Sequence, residues 1–65
     1  MPIATKPLGP YMKCLIEGDV YRLTMFGTNL YAVGPVDSHE RRRTFTLEML
    51  GKDDDTATYQ ARELK

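Results

Sequence analysis

From Tyr11 onward the chain alternates apolar and polar side chains with a period of two, the pattern of strands that cover one face and expose the other. Tyr11 to Glu17 and Val20 to Phe26 flank Gly18-Asp19, and glycine at the first position of a two-residue loop predicts a type II′ hairpin. That turn pairs Glu17 with Val20, Ile16 with Tyr21, Cys14 with Leu23 and Met12 with Met25, which gathers all but the first of these pairs on one apolar face. The opposite face is mixed. It carries Tyr11, Lys13, Leu15 and Glu17 beside Val20, Arg22, Thr24 and Phe26, with Tyr11 directly across from Phe26. Apolar side chains on a face meant for water point to a second, partly covered surface or to a binding platform.

The same alternation continues downstream. Gly27-Thr28-Asn29 predicts a turn, and Leu30 to Val33 a short strand that stops at Gly34-Pro35 because proline cannot donate to a ladder. Asp37 and Glu40 stand at capping-box spacing, which predicts at most one short helical turn over Asp37-Ser38-His39-Glu40. Thr44 to Leu50 and Thr56 to Arg62 form a second hairpin around Gly51 to Asp55. Its predicted register sets Met49 against Ala57, Leu47 against Tyr59 and Phe45 against Ala61. Arg43 then faces Glu63, and Thr44 faces Arg62, so this hairpin has one dry face and one wet face.

Residues 1–10 hold three of the four prolines and predict an extended, proline-rich arm ahead of a single small β domain over 11–65. The expected fold class is all-β: a small antiparallel five-stranded meander, closed or open. By size and strand count alone it sits with SH3-like and OB-like barrels or sheets.

Composition narrows the function without assigning one. At 65 residues the chain buries only roughly 60% of its unfolded surface, so domains of this size commonly carry a staple. A single cysteine makes no internal disulfide, and no Cys/His cluster has metal-ligand spacing, which leaves self-association as the expected staple. Nine basic and nine acidic residues cancel, so there is no global pull toward nucleic acid or an anionic membrane. No apolar run approaches a membrane span, the opening residues lack a secretory pattern, and one unpaired thiol fits a reducing compartment; the expected location is cytoplasmic.

No constellation supports catalysis. His39 is the lone imidazole, beside Glu40 in a polar loop, and reads as an exposed loop residue rather than a general base. Cys14 falls on the apolar face between Met12 and Ile16 and reads as a small buried hydrophobe. Asp53-Asp54-Asp55 lacks the alternate spacing and closing glutamate of a calcium loop and reads as a solvated hairpin loop. The expectation is a chain without enzymatic activity, cofactor or metal.

Two features point to binding instead. Arg41-Arg42-Arg43 is a block of guanidiniums suited to carboxylates or phosphates, or to a charged edge that deters aggregation. Tyr11, Lys13, Arg22 and Phe26 place aromatics among cations on one hairpin face. Such a set serves a protein interface, and equally a single-strand or RNA-binding platform. The first expectation is therefore a regulator, inhibitor or assembly adaptor that contacts another protein and itself; a nucleic-acid-binding module is the alternative.

Overall fold

The computed structural model describes residues 2–38 and 41–65 and is all-β. Six strands follow one another around a closed antiparallel barrel: β1 (Ile3–Pro7), β2 (Lys13–Ile16), β3 (Asp19–Phe26), β4 (Asn29–Gly34), β5 (Arg43–Lys52) and β6 (Thr56–Leu64). Every neighbour in the barrel is a neighbour in sequence except β1 and β6, whose pairing closes it. The order is the expected meander, with six strands in place of five. The added strand lies in the segment expected to be an arm. Its backbone is extended, as three prolines imply, yet Ala4 pairs with Tyr59 of β6 on one side and Ile16 of β2 on the other. Pro7 ends the strand, where the missing N–H costs the ladder least.

Narrowness explains the interior. A six-stranded barrel has room for few large side chains, so large and small residues alternate within it. Phe45, Tyr21 and Ile16 are the largest fully buried side chains, and Leu23, Cys14, Ala4, Ala32, Ala57 and Ala61 complete the buried apolar set. Tyr21 meets Phe45 edge to face, with ring centroids 5.4 Å apart and planes at 84°. Gly34 is required beside them: a Cβ there would lie 3.2 Å from the Tyr21 ring and from its Cα. Cys14 is buried, and loss of water pushes its thiol up to about 11.

Both hairpins differ from their predicted registers by two residues. In the first, Glu17 and Gly18 form the turn, both with positive φ (54° and 85°), the signature of type I′ rather than II′. Ile16 therefore pairs with Asp19, Leu15 with Val20, Cys14 with Tyr21 and Lys13 with Arg22. In the second, Leu47 pairs with Ala61 and Met49 with Tyr59, and a bulge at Leu50 lets the strands run on to Lys52 and Thr56. Phe45, not Arg43, stands opposite Glu63, and Thr46, not Thr44, stands opposite Arg62. An even shift leaves every side chain on its predicted face, because the side-chain period is two. The chain can thus change turn type and keep its core.

Met12 and Met25 depart from the expectation of burial. They occupy inward-phase positions beyond the last covered layer at one barrel end, and each is about half exposed. The predicted helical turn also does not form at its described residues: Asp37 lies in a turn, where the Ser38 N–H donates to the Pro35 carbonyl at 3.2 Å. His39 and Glu40 lie outside the described residues. Among the described residues no helix is long and apolar enough to cross a membrane.

The type I′ turn places a glutamate where asparagine or glycine is favoured, at a cost of roughly 1 kcal/mol. Glu17→Asn is expected to raise the unfolding free energy by about 0.5–1 kcal/mol in urea titrations. Glu17 also lies 3.5 Å from Arg43, an exposed pair of the kind that contributes little, so a loss of stability larger than this expected gain would show that the turn is not built on Glu17-Gly18.

Candidate interaction surface

The outer face of β2 and β3 is assembled by the observed register. Lys13 stands directly opposite Arg22, and Leu15 opposite Val20. Both cations are exposed, and among the described residues neither has an ion-pair partner. Like charges across an antiparallel pair repel, so this is an arrangement that costs stability in the free chain. Tyr11 lies beside them, 58% exposed. With Lys13, Leu15 and Val20 it lines a shallow hollow of about 210 Å³, and with Met12, Lys13 and Arg22 an adjoining one of about 490 Å³.

Phe26 is not across from Tyr11. It pairs with Asn29 at the tip of the β3–β4 hairpin and is 79% exposed. The two-residue shift in register separates the aromatics: the ladder continues from Lys13–Arg22 through the Leu23 amide bonded to the Met12 carbonyl, which brings Tyr11 toward Thr24.

The arginine block divides. Arg42 lines a groove with Arg22, Val33, Pro35 and Val36, which extends the basic strip of the first hairpin. Arg41 faces another depression, with Asp19 and Asp37. Arg43 is committed to the fold: its Nε and Nη2 donate to both carboxylate oxygens of Glu63 at 2.8 and 2.9 Å, and Nη1 lies 3.5 Å from Glu17. Its guanidinium also covers the Phe45 ring at 4.9 Å. It thereby caps one end of the barrel core. A cation two residues before a core Phe, near a glutamate across the hairpin, was the sequence signal for this role. Hydrogen bonds from Arg43 hold the Glu63 carboxyl below its ordinary range.

At the opposite end the β5–β6 turn is organised by one of its three aspartates. Asp53 Oδ1 accepts the amides of Asp55 (3.0 Å) and Thr56 (2.8 Å), which lowers its own pKa. Asp54 and Asp55 keep exposed carboxylates. Also at this end, and missed as a feature of the sequence pattern, three methionines, Met12, Met25 and Met49, come to inward phases at the barrel mouth. The signal was available as apolar inward positions outnumbering what a narrow barrel can cover.

No family model matches this chain, and neither a curated protein nor a solved structure is significantly similar to it.

The Arg43–Glu63 bond gives the fold a defined acid dependence. A carboxyl with a depressed folded pKa stabilises the fold above its unfolded value, near 4.5, and loses that contribution as pH falls through the folded value. Glu63→Gln is expected to be less stable than the parent chain at pH 7, with the difference shrinking below about pH 4.5 in thermal melts. A difference that stays constant down to about pH 2 would separate the stability effect from this ionisation.

Proposed function

We propose that this chain is a non-enzymatic interaction module that acts by protein–protein contact through the outer face of β2 and β3. The observation that carries the reading is the exposed Lys13–Arg22 pair set among Tyr11, Leu15 and Val20. A partner carboxylate placed between the two cations would relieve their repulsion, and the flanking apolar side chains would gain burial. Aromatic and arginine anchors with aliphatic neighbours have the composition of interface hot spots. Arg42 extends the same strip through its groove with Arg22. The role fits a regulator, inhibitor or assembly adaptor in a reducing, cytoplasmic setting, consistent with the buried thiol of Cys14.

Single-stranded nucleic acid is the second reading, favoured by the three neighbouring cations and by Tyr11 as a stacking surface. It ranks lower for two reasons. The stacked aromatic pair expected of such a platform is broken by the register, and Arg43 is held by carboxylates.

Retention from nuclease-treated lysate on the immobilised chain, and titration with a mixed single-stranded oligonucleotide pool, separate the two. The protein reading expects a discrete protein to be retained at both low and moderate salt and lost with Leu15→Asp or Arg22→Glu. Oligonucleotide binding that falls about 20-fold between 50 and 200 mM salt, as three phosphate contacts on a single strand would require, without a retained protein would contradict it.

A further inference from the structure

We infer that two copies of this chain stack mouth to mouth, each contributing the barrel end lined by Met12, Met25 and Met49. The inference goes beyond partner binding on the first hairpin, since Met49 and Leu50 belong to β5.

The two ends of the barrel are finished differently. At one end Arg43, Glu63 and Glu17 close over Phe45, and the Val36 amide donates to the Val20 carbonyl at 2.9 Å, folding the following turn against the rim. At the other end the connections at Gly27-Thr28 and Asp54-Asp55 are tight, and the β1–β2 connection is drawn to the rim by the Leu8 amide on the Asp55 carbonyl, so Met12, Met25 and Met49 stay about half exposed. Met25 lies two residues beyond buried Leu23, and Met12 two before buried Cys14. Met49 lies two residues beyond partly buried Leu47.

Around this mouth Tyr11, Met12, Met25, Phe26, Met49 and Leu50 are each 52–79% exposed. Side chains of this size at those exposures leave on the order of 700 Å² open, above the roughly 300–600 Å² of the largest patch on a typical monomer. It is close to the ~800 Å² that each side of a standard interface buries. Methionine suits such a contact because its flexible thioether fills an irregular seam.

The occupant is identified by charge. Asp53, Asp54 and Asp55 outnumber Lys52 at the β5–β6 tip and leave it net negative, while Lys13 and Arg22 stand on β2 and β3. In the strand order one strand intervenes on either way round, β1 or β4, so the acidic and basic groups lie on opposite sides of the barrel. A two-fold axis across the mouth, running between β1 and β4, brings the acidic tip of one copy to the basic side of its mate, and the reverse. The surface is self-complementary, as a closed two-fold interface requires. Zero net charge leaves no long-range repulsion between copies.

Light scattering coupled to size exclusion, over about a hundredfold dilution, tests the inference. The parent chain is expected at twice 7.4 kDa. Met49→Lys with Leu50→Lys, both at exposed positions, is expected to give the single-chain mass with cooperative unfolding retained. Lys13→Glu with Arg22→Glu makes both sides of the mouth predominantly acidic, and Asp54→Lys with Asp55→Lys makes both predominantly basic; Asp53 is spared because it holds the turn, and Lys52 is left in place in each. Each charge-reversed chain is expected to dimerise at least 10-fold more weakly than the parent, and an equimolar mixture to recover the dimer. A parent chain at 7.4 kDa throughout overturns the inference, whether or not a different protein binds the same end. So does a dimer that persists with Met49→Lys and Leu50→Lys, or charge-reversed chains that fail to recover it on mixing.

Discussion

The structure depends on the closure of the sheet by β1. Ile3 to Pro7 pairs along β6 and reaches β2 through Ala4 and Thr5, so five otherwise sequential strands become a barrel with no long free edge. Closure fixes how many side chains can go inside. With Phe45, Tyr21 and Ile16 in place, Ala4, Ala32, Ala57 and Ala61 are the sizes that fit around them, and the next apolar residues along the strands are displaced to an end. The exposed methionines are thus a consequence of a narrow barrel, and not of a loose one.

The two ends then acquire different characters. Arg43 has the length to lay its guanidinium over Phe45 while keeping both Glu63 oxygens, which seals one end with charged groups still in water. The other end holds thioethers, Leu50 and Phe26, bordered by the aspartate turn with Lys52, by the β1–β2 connection that Lys6 and the Asp55 carbonyl hold, and by the cations of β2 and β3. A small domain gains little stability from its own core, so burial of this end against a second chain is a large addition for it. The outer hairpin face shares Lys13 and Arg22 with this end, and its opposed cations are stabilised by acidic groups of a second chain and by nothing seen among the described residues.

Much of this architecture was legible in the alternation of side chains. Strands β2 to β6 and the inward set Cys14, Ile16, Tyr21, Leu23 and Phe45 follow from period-two patterning, whereas Arg43 and Glu63, expected as a directly opposed pair, meet diagonally across a register moved by two residues. Turn type was less legible. Gly18 satisfies a type II′ turn as its first residue and a type I′ turn as its second, and local chemistry does not choose between them. The register therefore moved by two residues, harmlessly for the core, but with effect on the outer face: Tyr11 lost Phe26 as its partner and Lys13 gained Arg22. Strand β1 was hidden because prolines at 2, 7 and 10 argue against a strand, although the residues between Pro2 and Pro7 are free to pair. The arginine block looked uniform in sequence and is not, because strand β5 begins within it and turns only Arg43 toward the core end.

Hydrogen exchange at the backbone amides of β1 tests the closure most directly. Paired to β6 and β2, the amides of Ala4, Thr5 and Lys6 are expected to be protected on the scale of those in β3 and β4, and Leu8, bonded to the Asp55 carbonyl at 2.9 Å, to be slower than its neighbours in the loop. Exchange of Ala4 to Lys6 at the rate of an unstructured peptide, with β3 and β4 still protected, would contradict a closed barrel. It would leave an open five-stranded sheet preceded by an extended arm.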